Sequence, residues 1–316
     1  MKLLFTADWH IKLTSKQIPY EFQWNRFILL FDLILEQLKY HDALVIGGDL
    51  FDTEPNSDEI ALFLNFYSKK ALLHSSKPVY IFAGNHDLYS KKKVSFLKKL
   101  LKPLVEVTYI DEFTSTKYFD ILPYQHLTNI ANFTPKNKLL LTHVRGDILP
   151  HVKAEIDLDL FNHWDLVAAG DLHDISNSQR NIVYPGSPLT THYNKSIVKK
   201  GFLSINCSDL TYKFVELEIP QLIRLELESE ADVFEEAFHH YEFIIKGTQS
   251  ELSKVTSSKV KKKLTTQEKT TSTLNLSNTS SIYEELEAYF GTVLRFEQHK
   301  IEEIMNLFDR GLDAQD

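Results

Sequence analysis

Cysteine is nearly absent: the 316-residue chain has only Cys207. One thiol cannot close an intramolecular disulfide, so no covalent framework holds this fold, and a reducing compartment suits it. Long apolar runs are missing too, none approaching the roughly 18 residues of a membrane-crossing helix. The opening MKLLFTADWH has too short an apolar stretch for a signal peptide and no small-residue cleavage site. The expectation is a cytoplasmic protein with no membrane contact. Basic charge is not in excess either. The formal net charge is −8, which argues against gripping nucleic acid by bulk positive charge. It does not exclude a protein that handles phosphates, because bound cations and local lysine clusters reverse the sign where phosphates lie. A P-loop is also lacking, so the chain has no apparatus of its own for consuming ATP.

What is present is a core. With 43% hydrophobic and 25% charged residues, the chain can bury one large domain or two smaller ones. Its organising stretch is ALVIGGDLFD, residues 43–52. A short apolar run with Val and Ile, closed by Gly-Gly, reads as a central strand of a parallel sheet. Chemistry in open α/β sheets collects at the carboxyl ends of such strands. Asp49 would stand at that edge, with Gly48 allowing close approach. A satisfied turn aspartate would look the same in isolation.

The device recurs. Residues 3–7 form an apolar run ending in Asp8-Trp9-His10, and residues 79–83 form one ending in Gly84-Asn85-His86-Asp87. Residues 138–141 lead into Thr142-His143, and 166–169 into Gly170-Asp171-Leu172-His173. Helical periodicity fills about 20–39 and about 57–73, with Ser57 as the expected N-cap of the second. The order is βαβαβ, hence a parallel sheet with right-handed crossovers. The other nine histidines read as ordinary core or surface residues. His10, His86, His143 and His173 differ because each ends a strand-like run, and such ends converging on one edge imply a shared site.

Asp8, His10, Asp49, Asn85, His143, Asp171 and His173 offer only oxygen and imidazole nitrogen. Without thiolates the set does not suit a structural zinc site, whereas Mn, Fe, Mg or catalytic Zn suits such donors. Seven ligands exceed what one ion needs. Two ions about 3.5–4 Å apart, bridged by one carboxylate, would use them all, and Asp49 is the natural bridge. Such a pair can hold a phosphate ester and activate water for in-line displacement.

The series D-x-H, GD-x-x-D, GNHD, an isolated His and G-x-x-H resembles the calcineurin-like metallophosphoesterases over about residues 1–174. The resemblance implies an α/β fold, a four-layer α/β/β/α sandwich with a dimetal site at one edge of its two sheets. By position, Asp8, His10, Asp49 and His173 would bind the first metal, and Asp49, Asn85, His143 and Asp171 the second. His86 would protonate or neutralise the leaving oxygen, with Asp52 orienting it. Thr53-Glu54 follows Asp52, where phosphoprotein phosphatases have Arg-Gly. GDLFD is instead similar to the SbcD-type nuclease subunit of a DNA double-strand-break repair complex. Tyr184-Pro185-Gly186-Ser187-Pro188 and Lys199-Lys200-Gly201-Phe202 extend that likeness to about residue 217, although Pro185-Gly186 is ordinary turn chemistry. One position departs: Asp171 stands where the family usually has His. The extra carboxylate either keeps the second site and moves preference to Mn or Mg, or weakens it.

Six lysines lie between 91 and 102. Lys91, Lys92 and Lys93 are the candidates for phosphate contacts; Lys98, Lys99 and Lys102 read as a solvated helix face. Residues 1–219 form the expected nuclease domain. Residues 220–246 form a small α/β DNA-capping domain, with strands at 222–227 and 241–246 and a helix at 231–240. Residues 247–281, rich in Ser, Thr and Lys and without an aromatic, read as a flexible linker. Residues 282–316 form a helical segment opened by a Ser281–Glu284 capping box. In the SbcD-type family such a segment grips an SMC-like coiled-coil ATPase; fold-back onto the chain is the alternative. The resemblance implies Mn-supported 3′→5′ exonuclease activity on duplex DNA, endonuclease activity on single strands, and a homodimer. A phosphomonoesterase on the same scaffold, or a catalytically weak scaffold protein that docks the ATPase, is the rival reading.

Overall fold

The structure, a computed structural model, describes residues 1–89, 94–105, 107–265 and 281–312. Lys91, Lys92 and Lys93 lie outside the described residues. The chain divides into two compact units, Met1–Leu227 with Ala231–Ile244, and Glu228–Glu230 with Ile245–Asp316.

In the first unit, β1 (Lys2–Thr6), α1 (Tyr20–Leu38), β2 (Ala43–Gly47), α2 (Ser57–Leu73) and β3 (Val79–Phe82) follow the expected βαβαβ order. Next come α3 (Leu97–Leu101), β4 (Val107–Ile110), β5 (Thr114–Ser115), β6 (Asp120–Leu122), β7 (Leu139–His143), β8 (Leu166–Gly170) and β9 (Ile182–Val183). The unit continues with β10 (Gly201–Asn206), β11 (Tyr212–Glu216) and β12 (Leu222–Leu227), and β13 (His240–Gly247) runs on from it. One sheet has the order β11-β10-β1-β2-β3-β4, the other β5-β6-β7-β8-β9. The expected parallel core is present in β1–β4 and β6–β9. Antiparallel β10 and β11 extend one edge.

Side-chain alternation builds the layers, because successive residues of a strand face opposite ways. Leu3, Phe5, Ala43 and Val45 meet Phe119, Ile121, Leu139, Leu141 and Ala168 between the sheets. Leu4, Leu44, Ile46 and Ile81 face the other way, against Phe27, Phe31, Phe63 and Phe66 of α1 and α2. Beyond the second sheet, Leu140, Val167 and Ala169 pack on Leu127, Ile130, Phe161 and Trp164. Leu127, Ile130 and Phe161 belong to 3₁₀ stretches, Tyr124–Asn132 and Leu158–Phe161. The fourth layer is therefore made of 3₁₀ turns where the resemblance implied α-helices.

Local expectations differ in two places here. The N-cap of α2 is Asn56, not Ser57: its side chain accepts from Asp58 and Glu59 N–H while Glu59 reaches back. Residues 231–240 are not a helix beyond one 3₁₀ turn, Glu230–Asp232. Glu236 accepts from Phe238 N (2.6 Å) and His239 N (2.8 Å), a local bonding pattern that competes with helix. Phe234 also packs edge-on to Tyr241 and Phe243.

The second unit holds α4 (Gln249–Leu252) and β14 (Val260–Leu264), so the stretch from 247 to 265 is structured where composition suggested a linker. Leu252 and Val260 are buried there, and Lys261–Lys263 are exposed on β14. Further along are α5 (Ile282–Ala288), a π-helical turn Tyr289–Val293, and α6 (Gln298–Leu312). The Ser281–Glu284 capping box is present.

Candidate metal centre

Four of the seven expected donors sit on left-handed backbone: Asp8 (φ 56°), His10 (φ 44°), Asp49 (φ 51°) and Asp171 (φ 96°). Non-glycine residues adopt that region at a cost, and such outliers gather at functional sites. Interlocking backbone bonds hold them. Asp8 N–H donates to Gly48 O (3.0 Å), and His10 N–H to Asp49 O (2.9 Å). Asp171 N–H donates to the Asp8 carboxylate (2.9 Å). Glycines let these loops close. A Cβ on Gly48 would lie 2.4 Å from His143 Nδ1, and one on Gly84 would lie 2.2 Å from Asp49 Oδ1.

The ends of β1, β2, β3, β7 and β8 thus bring together all seven expected donors. Ligand-capable atoms of Asp8, His10 and His173 lie within 4.8 Å of one another, as do those of Asp8, Asp49 and His143, and those of His10, Asp49 and His86. Asp49 is central. Its Oδ2 is 3.6 Å from His10 Nε2 and 3.5 Å from His143 Nε2, and Asp171 Oδ1 is 3.7 Å from His143 Nε2. His143 Nδ1 donates to Gly47 O (2.9 Å), which fixes the tautomer and leaves Nε2 as the inward donor.

The electrostatics fit a cation. Asp8, Asp49 and His143 are essentially buried, with no Lys or Arg paired to them among the described residues. Burial pushes Asp8 up to about 7 against the pull of His143. Burial also raises Asp49, yet His143 and His10 outweigh it and hold the group at about 2. His143 in turn is desolvated, but Asp49 and Asp171 raise it well above the usual imidazole range. The carboxylates thus favour positive charge at this spot, of the kind a bound cation supplies. His10 and His173 face each other through Nε2 at 3.0 Å. Burial, then His10 and Lys200, lower His173 to about 4. Burial would lower His10 as well, but Asp52, Asp49 and Asp8 raise it. Asn85 gives the same indication. With its oxygen inward, four electron-pair donors meet, as a cation accepts; turned over, its nitrogen would donate to Asp49 Oδ2 (3.1 Å) and Asp171 Oδ1 (3.2 Å).

His86 is exposed at the rim. The expectation that the Asp52 carboxylate orients it is corrected: His86 Nδ1 donates to the Asp52 backbone carbonyl (2.7 Å). The Asp52 carboxylate instead lies 3.3 Å from His10 Nδ1 and pairs with Lys12, and these contacts hold it well below the usual carboxylate range. The local spacing of GDLFD and GNHD could not distinguish a carbonyl from a carboxylate.

Other residues contribute without having stood out in the sequence. Asp87 is fully buried and accepts from Gly84 N (3.1 Å), Leu50 N (3.2 Å) and Phe51 N (3.2 Å), tying the two loops together. Its place in GNHD was the available signal. Ser187 Oγ lies 2.7 Å from Asp8 O, and Gly186 (φ 72°) runs close beneath the His173 carbonyl. The YPGSP turn therefore underpins the site.

The sequence model of calcineurin-like phosphoesterases matches residues 1–196, more than half of the chain. The chain belongs to the calcineurin-like phosphoesterase family. That family uses divalent metal ions, and the donor cluster suits them. The probable exonuclease subunit 1 of Escherichia phage T5 is 35% identical over 321 residues, covering 96% of this chain and 97% of its own. Likeness to that relative therefore continues far beyond the donor cluster. The SbcD subunit of the nuclease SbcCD from Staphylococcus saprophyticus subsp. saprophyticus is 28% identical over 272 residues, covering 69% of each chain. Among described residues no helix is long and apolar enough to cross a membrane.

Proposed function

We propose that this chain is the nuclease subunit of a DNA repair or recombination complex, hydrolysing phosphodiester bonds at a centre of two divalent cations. The observation that carries the reading is the convergence of five strand ends on one buried cluster, with Asp49 Oδ2 between His10 (3.6 Å) and His143 (3.5 Å). Asp8, His10, Asp49 and His173 would hold one cation, and Asp49, Asn85, His143 and Asp171 the other. The cations, when bound, supply positive charge for the phosphate and make water acidic enough to react near neutral pH. Hard oxygen donors, Asp171 included, favour Mn, then Mg.

The chain's own groups do the rest. Asp87 and Ser187 keep the ligand-bearing loops at fixed spacing, so little reorganisation is needed during reaction. His86, with Nδ1–H held by the Asp52 carbonyl, presents Nε2 to the leaving oxygen, and as the imidazolium it gives its Nε2 proton or neutralises the charge there. Asp52 acts through His10, whose ring it steadies.

The names of both sequence relatives include a nuclease and a subunit, which supports a two-component assembly. By resemblance to the SbcD-type family, the activities are 3′→5′ exonuclease on duplex ends and endonuclease on single strands. By the same resemblance the chain is a homodimer whose residues 282–316 dock an SMC-like coiled-coil ATPase, and residues 1–219 and 220–246 are the nuclease and DNA-capping domains. Lys91, Lys92 and Lys93 contact DNA phosphates.

The test compares hydrolysis of duplex DNA, single-stranded DNA and a phosphomonoester by wild type and His86→Ala, with metal content measured in parallel. The expected result is Mn-dependent DNA cleavage, two ions per chain and a large loss in His86→Ala. Monoester preference would favour a phosphatase; one ion per chain would sink the two-cation reading.

A further inference from the structure

Two clefts flank the metal centre, and their charges differ. One, of 390 Å³, is lined by Asp52, Glu54, Asn85, His86 and Tyr89 among others, with no Lys or Arg among its described lining residues. The other, of 400 Å³, lies on the His173 side, where Arg145, Thr191, His192, Asn194 and Lys200 line it. Lys200 is only 6% exposed. Its Nζ donates to the His173 carbonyl (3.1 Å), one bond for an ammonium that carries three donors. No carboxylate pairs with Lys200 among the described residues. Of the cleft's own acids, Asp174 accepts from Ser176 N (2.8 Å) and favours the Lys200 charge without an ion pair, and Asp171 lies close to His143 (3.7 Å).

A buried ammonium whose carboxylates, Asp174 and Asp8, act on it only from beyond ion-pair distance is incompletely compensated, and divalent cations next door raise the cost. An anion in the cleft relieves both. Arg145 adds a second cation at the mouth: it is exposed, and its guanidinium has no ion pair among the described residues. The nearby Glu155 already accepts from Arg145 N (2.7 Å) and Tyr124 Oη (2.9 Å). The cleft wall at Thr190 is firm, because Arg26, itself buried, donates to Thr190 O (3.0 Å).

We propose that the Arg145–Lys200 cleft is an anion subsite that takes the phosphate next to the one being cut, on the same strand. The inference rests on the reading of the chain as a DNA nuclease. It gives the substrate a direction over the centre, with the neighbouring phosphate on the His173 side and the leaving oxygen at His86.

The full-length chain tests this with Lys200→Met and Arg145→Gln. Binding of a fluorescent single-stranded oligonucleotide is followed by anisotropy in EDTA, over a range of salt. Lys200→Met is expected to weaken binding about tenfold, as for loss of one charge-assisted contact. Its plot of log affinity against log salt should be shallower by about 0.7. With metal restored, KM for the oligonucleotide should rise about tenfold more than KM for bis(4-nitrophenyl) phosphate, which has a single phosphate. Equal losses on both substrates would mean that Lys200 only holds His173, and would overturn the subsite, as would unaltered binding. Should Lys200→Met fail to fold, Arg145→Gln, at an exposed position, carries the same comparison: several-fold weaker oligonucleotide binding with a shallower slope supports the subsite, and no change overturns it. A wild type that binds DNA in EDTA but hydrolyses neither diester would instead strike the nuclease reading itself.

Discussion

Phe66 of α2 and Leu307 of α6 both belong to amphipathic helices, yet Phe66 is 2% exposed and Leu307 is 61% exposed. Phe66 closes a ring cluster with Trp9, Phe31 and Phe63, directly behind the loop that carries Asp8 and His10. Around Leu307, the C-terminal segment leaves Ile282, Tyr289, Val293 and Leu294 substantially exposed as well. Ile301, buried at 3%, is the exception, and Gly291 lies close to it. In the first unit α1 and α2 bury the faces they turn to β1–β3, even though Leu72 and Leu73 at the end of α2 are exposed, and that packing holds strained donors at fixed spacing. The C-terminal helices keep an apolar surface of the kind that takes a helical or coiled-coil partner, in keeping with the proposed docking of an ATPase.

The hardest test of that contrast is Asp49→Asn. It should abolish metal binding measured by elemental analysis and cut phosphodiesterase activity by about 10³-fold or more, since several kcal/mol of charge stabilisation depend on the cations. The C-terminal helices should be untouched in hydrogen exchange. Next, Phe66→Ala should cost about 3–5 kcal/mol in urea unfolding, whereas Leu307→Ala should cost less than about 0.5 kcal/mol. Similar losses would break the comparison. A gentler version removes the two helix caps. Asn56→Ala and Ser281→Ala should each cost about 1 kcal/mol, the first as a lower melting temperature, the second as faster amide exchange confined to α5. The smallest effect is a pH slope. Buried His41 bonds Gln37 O and Ser204 Oγ (2.8 and 2.9 Å), and burial lowers its pKa below the usual value. The unfolded chain then binds more protons, so stability is present above the ordinary imidazole pKa and falls as pH drops through it. His41→Gln should flatten the difference in urea midpoint between about pH 7.5 and 5.5.

Much of the candidate metal centre was legible because its candidate donors follow apolar runs directly, and a run of strand residues is a local signal. Asp8, Asp49, Asn85, His143, Asp171 and His173 all came from that pattern, as did α1 within a residue of its end. Caps and turns were less legible. Asn56 and Ser57 are both good cap residues, and only backbone geometry chose between them. Residues 231–240 carry helical spacing, but aromatic packing on Tyr241 and Phe243 and the bonds of Glu236 outweigh a weak propensity.

By itself, the order of residues determined the strand–helix alternation, the donor types and the edge at which they gather, since periodicity and ligand chemistry are properties of short stretches. Tertiary structure alone decided that the Asp52 carboxylate faces His10 while its backbone carbonyl holds His86, that 3₁₀ turns form the fourth layer, and that Lys200 lies buried beside His173. Those outcomes depend on contacts between residues far apart in the chain, such as Ser187 Oγ with Asp8 O across 179 positions. Which partner a side chain meets at that range is set by how the sheets pack, not by its neighbours in sequence.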